Sequence, residues 1–342
     1  MNKARIVVFS DLQSHPWQEG ERTDREYDCA RVLEFVNEYS QKQKPDAIVF
    51  GGDFFEAKRN IRSDIVSTTY EAAVKLSALG IPVIFMAGNH DYYKNRCTLT
   101  PLASVANFSV LDRHSDAELC RETINDLNLS FFPNGADYNA LLTENGEYDV
   151  AFVHDDIKGA KLNAHIHAAR TCLPEELFES YGEDSRAVII GGHYHSPQTL
   201  YPFGRKGKVP VEICGAPISH NWSDVDENTP RGLMLLTLRF KPPKLSYEIE
   251  RITLDAHFPK FVSTESQKTK DSDFVLVPKV KTSSKQTVQR KAAASVVSTS
   301  RKDAFIAYVV AAKGKQWCLD NRDEFKALVR KGLDLASAQK ET

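Results

Sequence analysis

The sequence lacks several features, and each absence excludes a class of protein. No uninterrupted apolar run among its 342 residues is long enough to cross a bilayer. The charged start is followed by only four apolar residues, at 6–9, which is too short for a signal peptide. We therefore expect a soluble, cytoplasmic protein with no membrane partner. The chain also has no G-x-x-x-x-G-K-[ST] loop, so any dependence on ATP must come from another subunit.

Cysteine is scarce and scattered. The six cysteines lie far apart, and no two of them form a Cys-x-x-Cys pair. This spacing is typical neither of a zinc ribbon nor of a disulfide framework. We interpret the cysteines as reduced thiols in the core. The sequence also contains no internal repeat.

Negative charge dominates most of the chain, although the net charge is only −2. Residues 260–302 carry ten Lys/Arg against three Asp/Glu, and residues 303–342 carry seven against six. Residues 1–259 are left with a charge of −10. Such a field repels nucleic acid unless metal ions, basic loops or a partner offset it. We expect this acidic body to bind nucleic acid weakly on its own.

Five short polar runs are the most informative feature that is present. Each follows an apolar stretch that predicts a buried strand. The stretches are residues 6–9, 47–50, 83–86, 150–153 and 188–190. The runs, in the same order, are Asp11-Leu12-Gln13, Gly51-Gly52-Asp53, Gly88-Asn89-His90-Asp91, His154 and Gly191-Gly192-His193-Tyr194-His195. Their acidic, amide and imidazole side chains should therefore lie at the ends of strands.

Helical periodicity separates the first three predicted strands. Asp24 is a candidate cap for a helix that runs to about Gln41, and a second helix spans roughly residues 63–79. This alternation of strands and helices forces parallel pairing, so we predict an α/β fold. Ligands of such sheets collect beyond the carboxyl ends of the strands, where the five runs would meet. After His195, further strands are predicted at 211–214, 233–240 and 245–254.

Composition divides the chain into three parts. Residues 1–258 contain all of the polar runs and form the predicted main domain. Residues 259–301 are rich in Ser, Thr, Lys and Gln, and we interpret them as a basic flexible linker with one strand-like segment at 274–277. Residues 302–342 contain two predicted helices, 303–312 and 323–336, which are too small to fold stably alone. This C-terminal segment should dock on a partner.

The ligand types in the runs indicate metal-dependent cleavage of phosphoesters. Carboxylate and amide oxygens favour hard cations such as Mn²⁺ and Mg²⁺, and imidazole shifts the preference toward manganese, iron or zinc. A carboxylate shared by two ions about 3.5–4 Å apart builds a clamp that activates water and neutralises phosphoryl charge. Asp53 is the candidate bridge, because the two glycines before it let the backbone approach the metals closely. No protein nucleophile is required.

The order of the runs resembles the pattern of the calcineurin-like metallophosphoesterases, which is D-x-H, G-D, G-N-H-D/E, H and G-H-x-H. The resemblance covers most of residues 5–240, and it implies the four-layer α/β/β/α sandwich of that family with a small C-terminal helical appendage. Two further stretches are similar to the SbcD-like exonuclease subunit of SbcCD-type complexes, especially the small versions common in bacteriophages. They are Gly51-Gly52-Asp53-Phe54-Phe55 and residues 215–224 followed by Arg231-Gly232-Leu233.

That likeness implies an activity and partners. SbcD-like subunits are manganese-dependent DNA nucleases that act in DNA recombination, repair and replication beside a coiled-coil ABC-type ATPase. We expect an exonuclease, with endonuclease activity as a further expectation. The helices of residues 302–342 would then dock on the SbcC-like ATPase. Members of the family often pair as homodimers, and the sequence identifies no interface for such pairing.

The resemblance also implies a ligand set. The first metal would be held by Asp11, Asp53 and His195, and the second by Asp53, Asn89, His154 and His193. Two Mn²⁺ ions are expected, with Mg²⁺ or iron as alternatives. The family usually has histidine where this chain has Gln13, and an amide oxygen is a weaker ligand than imidazole. We therefore predict a loosely held first metal at Asp11 and Gln13, which a Gln13→His substitution should tighten.

His90 and Asp91 are the candidate catalytic residues. By the resemblance, His90 would be the acid beside the leaving oxygen, because a phosphoester leaving group needs a proton or a charge partner. Asp91 would orient the His90 imidazole. The alternative for His90 is a histidine that only orders the turn.

Candidate DNA contacts follow two of the runs. Lys58, Arg59 and Arg62 either contact DNA phosphates near the metals or form an ordinary solvated loop. Tyr92 and its neighbour Tyr93 either stack on a base beside the cleft or pack in the core. The sequence leaves both pairs of alternatives open.

Three functions compete at this point. The main hypothesis is a manganese-dependent DNA nuclease. The alternative is a small-molecule phosphodiesterase or phosphatase that uses the same metals and does not need residues 260–342. A third is a scaffold that kept the fold and lost turnover, which Gln13 suggests. Retention of six of the seven expected metal ligands, together with His90, weighs against the scaffold.

Overall fold

Two six-stranded sheets carry the polar runs. The computed structural model of the chain describes residues 2–16, 25–56, 60–145, 148–161, 167–178, 188–204, 209–220, 224, 230–241, 244–259, 261–263 and 274–276. Asp24, Lys58, Arg59 and the helices predicted within residues 302–342 lie outside the described residues. The division into domain, linker and C-terminal segment therefore stays a prediction.

The described elements are sixteen strands, three α-helices and three short 3-10 helices. The strands are β1 (Asn2–Phe9), β2 (Ala47–Phe50), β3 (Val83–Met86), β4 (Tyr92–Tyr93), β5 (Arg96–Cys97), β6 (Phe108–Leu111), β7 (Arg121–Ile124), β8 (Leu127–Phe132), β9 (Val150–Val153), β10 (Val188–Gly191), β11 (Gln198–Leu200), β12 (Val211–Ile213), β13 (Gly232–Lys241), β14 (Lys244–Thr253), β15 (Phe261–Ser263) and β16 (Phe274–Leu276). The α-helices are α1 (Asp28–Gln43), α2 (Ser63–Val74) and α3 (Tyr138–Asn145), and the 3-10 helices are Lys75–Leu79, Thr100–Ser104 and Glu175–Phe178.

The first sheet has the strand order β14-β13-β1-β2-β3-β6. Strands β1, β2, β3 and β6 are parallel, and the chain crosses from β1 to β2 through α1 and from β2 to β3 through α2. The predicted parallel unit of three strands and two helices is therefore confirmed. Strand β13 pairs antiparallel with both β1 and β14, and this long hairpin closes one side of the sheet.

The second sheet has the strand order β11-β12-β10-β9-β8-β7. Its four central strands, β8, β9, β10 and β12, are parallel. Strands β7 and β11 pair antiparallel at the two edges. The carboxyl ends of β9 and β10, where His154 and the final run begin, therefore lie side by side.

Alternate residues of β1 enter different cores, as the two faces of a strand require. Ile6 and Val8 pack in one buried cluster with Phe131 and Phe152 of the second sheet. Val7 and Phe9 pack in another buried cluster with Leu33 of α1. The first sheet is thus covered by helices on one face and by the second sheet on the other. This layering confirms the predicted α/β class and the packed pair of sheets.

Several element boundaries differ from the sequence-based expectation. Helix α1 begins at Asp28 after Tyr27, whose side chain makes no capping hydrogen bond. The second predicted helix is α-helical only to Val74 and then continues as a 3-10 helix to Leu79. Strand β16 covers residues 274–276 of the strand-like segment predicted at 274–277, and it pairs in parallel with β15. No helix among the described residues is long and apolar enough to cross a membrane.

The hairpin of β7 and β8 was not predicted. Its turn consists of Asn125 and Asp126, which both have positive φ, at 52° and 63°. Tight hairpin turns that match strand twist require positive φ at both central residues, and Asn and Asp tolerate it. An Asn-Asp pair is a weaker signal than Asn-Gly, which is why the sequence did not reveal this edge of the second sheet.

Candidate metal centre

Side chains from both sheets meet beyond the carboxyl ends of the parallel strands. Asp11, Asp53 and Asn89 follow β1, β2 and β3 of the first sheet. His154 and His193 follow β9 and β10 of the second sheet. The carboxylate, amide and imidazole groups of five separate loops thus converge where the sequence predicted that they would, with Asp11, Asp53 and His154 buried and Asn89 and His193 partly exposed.

The backbone in these loops adopts a conformation that is uncommon outside glycine. Positive φ angles occur at Asp11 (55°), Gln13 (43°), Asp53 (61°) and His193 (77°). Each such residue costs on the order of 1–3 kcal/mol, and clusters of them mark functional sites. Hydrogen bonds from Asp11 N to Gly52 O and from Gln13 N to Asp53 O, both 2.8 Å, hold two of the loops together. The fold therefore maintains local strain in order to aim these side chains.

Two glycines allow this close approach. A Cβ atom at Gly52 would lie 2.2 Å from Nδ1 of His154, and one at Gly88 would lie 2.3 Å from Oδ1 of Asp53. Gly52 also has a φ of 107°, which L side chains rarely adopt. Only glycine fits at these two positions while the neighbouring carboxylate and imidazole keep their places.

Asp53, His154 and His193 form one candidate metal site. A ligand atom from each of the three lies within 4.8 Å of the others. The His154 Nδ1–H group donates to Gly51 O at 2.7 Å, and this leaves Nε2 3.2 Å from Asp53 Oδ2. Nδ1 of His193 lies 2.9 Å from Oδ1 of Asn89, so the amide oxygen joins the same group. All four predicted ligands of the second metal are therefore together.

Asp11 and His195 lie beside this group. Asp11 is fully buried, and its Oδ2 accepts hydrogen bonds from Ser10 Oγ (2.5 Å) and His193 N (3.1 Å). Its Oδ1 has no hydrogen-bond partner in the part of the chain that is described. His195 places Nδ1 2.7 Å from Oδ1 of Asp224, which leaves Nε2 as the ligand atom. Gln13 is also buried in this region, at 5% exposure.

Electrostatics within the cluster favour a bound cation. Burial lowers the pKa of His154, but the carboxylates of Asp53 and Asp11 outweigh burial and raise it to about 10. Burial raises the pKa of Asp53, but His154 and His90 outweigh it and hold that pKa well below its usual range. Without a metal, a proton on His154 thus balances the buried negative charge. A buried carboxylate oxygen without a partner, amide oxygens and imidazoles form a donor set that fits a divalent cation.

His90 is oriented by Glu56 and not by Asp91. Oε1 of the buried Glu56 lies 2.8 Å from Nδ1 of His90, and His90 N donates to Asp53 Oδ1 at 2.7 Å. The His90 side chain remains 23% exposed, so its other face is open to a substrate. Sequence reasoning missed Glu56, although its place three residues after Asp53 in a predicted ligand loop was an available signal.

The predicted role of Asp91 is therefore corrected. Its carboxylate is completely buried and accepts only backbone N–H groups among the hydrogen bonds of the described chain. The donors are the amides of Asp53 (2.8 Å), Phe54 (2.8 Å), Phe55 (3.1 Å) and Gly88 (2.9 Å). These bonds fix the loop that carries Asp53 against the loop that carries Asn89. Asp91 acts on backbone geometry and does not touch the His90 ring.

Four buried residues behind the ligands received no role from the sequence. They are Arg25, His220, Asp224 and Arg231, all at most 5% exposed. His220 Nε2 donates to Asp11 O at 2.9 Å, and Arg231 donates to His195 O (2.6 Å) and Asp224 O (2.8 Å). The sequence signal was present in residues 215–224 and in Arg231, which contributed to the family resemblance without an assigned function.

The predicted DNA contacts are only partly described. Tyr92 is 7% exposed, its hydroxyl accepts a hydrogen bond from Arg113 N at 2.8 Å, and the Arg113 guanidinium lies 3.5 Å from its ring centre. Tyr92 therefore packs in the core, which is the second of the two alternatives that the sequence left open, and it is not a DNA contact. Tyr93 is 62% exposed. Arg62 forms surface ion pairs with Glu26 (2.8 Å) and Asp64 (2.6 Å), so its role at DNA stays open.

Comparisons with known proteins identify a family and two proteins to which the chain is similar. The model of the calcineurin-like phosphoesterase family matches residues 4–211. The chain is 35% identical over 91 residues to the DNA double-strand break repair protein Mre11 of Aeropyrum pernix. This matched segment covers 27% of this chain and 21% of that protein. A crystal structure of a dimetal phosphatase from Danio rerio covers 74% of this chain and 99% of its own, with a TM-score of 0.47 and 12% identity. The last similarity is too distant to carry an argument about function.

Proposed function

Because the chain belongs to the calcineurin-like phosphoesterase family, we propose that it is a metal-dependent nuclease that hydrolyses phosphodiester bonds in DNA. The family makes it a hydrolase of phosphoesters. The observation that carries the proposal is the convergence of Asp53, His154 and His193 within 4.8 Å of one another, beside a histidine that can serve as an acid. The partial similarity to Mre11 and the SbcD-like sequence stretches support DNA as the substrate.

Two cations occupy the centre in this proposal. Asp11, Gln13, Asp53 and His195 would hold the first, and Asp53, Asn89, His154 and His193 would hold the second. When bound, such a pair polarises the phosphoryl group and makes hydroxide available from water near neutral pH. The mixed oxygen and nitrogen donor set suits Mn²⁺, with Mg²⁺ or iron as alternatives.

His90 supplies the proton that the leaving oxygen needs. Its exposed edge faces the substrate side, while Nδ1 is held by Glu56 and its backbone N–H by Asp53. A buried carboxylate at Nδ1 fixes the orientation and the tautomer of the ring. Asp53, which would bridge the cations, thus also positions the acid, so the proton donor and the metal ligands have a fixed relation.

A hairpin next to His90 supports a polymeric substrate. Strands β4 and β5 present the exposed Tyr93, with Nζ of Lys94 5.6 Å from its ring centre, and the exposed Arg96. Thr98 anchors the hairpin, since its N and Oγ1 donate to Asp91 O at 2.8 and 2.9 Å. The Tyr93 ring can stack on a base, and the basic side chains of Lys94 and Arg96 beside it can contact the adjoining phosphates.

The direct test uses the purified full-length chain with labelled duplex and single-stranded DNA in Mn²⁺ or Mg²⁺. We expect metal-dependent degradation that is stronger in Mn²⁺ and absent from an Asp53→Ala variant. Equal degradation by the Asp53→Ala variant would assign the activity to a contaminant. Absence of DNA cleavage, together with hydrolysis of a small phosphodiester, would overturn the nuclease proposal.

A small-molecule phosphodiesterase or phosphatase is the second candidate. The charge of −10 on residues 1–259 favours it, since an acidic surface repels a polyanion such as DNA far more strongly than a small ester with one or two charges. The basic residues 260–302 and the exposed β4–β5 hairpin favour DNA as the substrate. Rates on DNA and on a small diester, measured side by side, separate the two candidates.

We further infer that residues 302–342 dock on an SbcC-like coiled-coil ABC ATPase, in line with the SbcD-like stretches. The two predicted helices need a partner surface in order to fold stably. When the full chain is co-expressed with an SbcC-like ATPase, we expect the two to co-purify, and a chain that ends at residue 301 should fail to co-purify. Retention of the ATPase by the shortened chain would contradict this docking.

A further inference from the structure

We propose that Asp224 is a positioning residue for the cation site beside Asp11 and that it compensates for the amide ligand at Gln13. The inference rests on the proposed two-cation function. It concerns which protein group makes the first site strong enough to hold its cation. The imidazoles of the two sites have different hydrogen-bond partners behind them.

The His195 imidazole is supported by a buried charge. Its Nδ1–H donates to Oδ1 of Asp224 at 2.7 Å, and the Asp224 side chain is 4% exposed. Hydrogen bonds to ionised acceptors are about twice as strong as neutral ones, and a carboxylate behind a ligating histidine raises the basicity of its other nitrogen. Nε2 of His195 is therefore a stronger ligand than an imidazole without such support.

The His154 imidazole of the neighbouring site is supported differently. Its Nδ1–H donates to the neutral carbonyl of Gly51 at 2.7 Å. That site gathers two imidazoles, an amide and Asp53, whereas the site beside Asp11 has one imidazole and the weak amide of Gln13. His193, in the same site as His154, also has a carboxylate partner, since its Nε2 lies 3.2 Å from Oδ1 of Asp156, but Asp156 is 33% exposed and solvent screens its charge. The buried and closer charged partner thus occurs at the site with the poorer ligand set, and we assign this asymmetry to compensation.

Asp224 is itself held rigidly, as a positioning residue must be. Its Oδ2 accepts the His220 N–H at 2.7 Å, and Arg231 donates to its backbone oxygen at 2.8 Å and to His195 O at 2.6 Å. His220 in turn donates through Nε2 to Asp11 O at 2.9 Å. One buried hydrogen-bonded unit therefore fixes both the histidine and the aspartate of this site.

The test measures Mn²⁺ binding to the metal-free full-length chain by calorimetry and by the EPR signal of free Mn²⁺. The wild type should bind two ions with different affinities. Asp224→Asn should lower the affinity for the more weakly bound ion about 10- to 100-fold and leave the affinity for the more tightly bound ion nearly unchanged. As a single substitution, Gln13→His should raise the affinity for the more weakly bound ion. The double variant should recover most of the affinity that Asp224→Asn loses, a rescue that general structural damage would not allow.

Asp46→Asn is the matched control. Asp46 accepts the Arg5 N–H at 2.7 Å before β2, at the opposite end of that strand from Asp53, so its variant removes the same charge far from the centre. Thermal unfolding of each metal-free variant reports any loss of folding. Two unchanged affinities in Asp224→Asn, or no effect of Gln13→His in either background, would overturn the compensation. A wild-type chain that binds no Mn²⁺ would instead overturn the proposed two-cation function.

Discussion

His154 shows how single residues prepare the centre for a cation. It is completely buried, with one nitrogen fixed by a backbone carbonyl and the other 3.2 Å from Oδ2 of Asp53. The carboxylates around it raise its pKa to about 10 despite burial. In the metal-free protein at neutral pH, this imidazole therefore carries a proton that a metal must displace.

That displacement gives the first prediction at the residue scale. Mn²⁺ binding at pH 7 should release close to one proton from His154, and the release should fall as the pH rises through about 10, because the metal-free imidazole is then already neutral. Calorimetry in two buffers with different ionisation enthalpies measures the released protons. Binding without proton release at pH 7, or release that grows between pH 9 and 10, would contradict this account of the site.

The acid function of His90 gives the second prediction. His90→Asn should lower kcat on DNA by about 10²- to 10⁴-fold, the usual contribution of a general acid. The loss should be much smaller on a p-nitrophenyl phosphodiester, whose leaving group needs no proton. Glu56→Gln should reproduce the same substrate-dependent pattern with a smaller loss. Equal losses on both substrates would indicate that His90 only orders its turn.

The third prediction concerns Gly52. Gly52→Ala should weaken Mn²⁺ binding strongly, because the new methyl group would lie 2.2 Å from Nδ1 of His154. Gly159→Ala is a matched control, since Gly159 also has a positive φ, 89°, but a Cβ there meets nothing within 4 Å. Both variants carry the backbone strain of about 1–2 kcal/mol. If the two variants bind Mn²⁺ equally well, the close approach of Gly52 to the ligand is not what shapes the site.

At the scale of elements, the strands that position the ligands were predictable and the supporting hydrogen bonds were not. The strands at 47–50, 83–86 and 150–153 agree with β2, β3 and β9 because each is a short apolar run with a polar residue after it. The role of Asp91 was predicted incorrectly, because sequence proximity to His90 says nothing about backbone amides brought close by folding. Asp224 and Glu56 were missed for the same reason: their partners lie 29 and 34 residues away.

The β4–β5 hairpin gives a prediction at this scale. Tyr93→Ala should slow cleavage of single-stranded DNA by several-fold to about a hundredfold under subsaturating conditions, since a stacked base contributes about 1–3 kcal/mol. Hydrolysis of a small phosphodiester should be unchanged, because the exposed ring does not belong to the metal centre. Tyr93→Phe should retain DNA cleavage. Equal effects of the alanine variant on both substrates would contradict a role in base stacking.

At the scale of the whole molecule, charge is divided between an acidic domain and a basic segment. Residues 260–302 carry a charge of +7, while residues 1–259 carry −10. A chain that ends at residue 259 should lose DNA affinity, and its affinity should depend less on salt, because fewer counterions are released. Its rate on a small phosphodiester should be unchanged. Unaltered DNA cleavage by the shortened chain would favour a substrate other than DNA.

The central claim is that five separate loops grip two cations, and anomalous diffraction from crystals soaked in Mn²⁺ tests it most directly. The account predicts two anomalous peaks about 3.5–4 Å apart. One should lie among Asp53, Asn89, His154 and His193, and the other among Asp11, Gln13, Asp53 and His195. Crystals that show no peak between these side chains, or peaks only elsewhere on the surface, would contradict it.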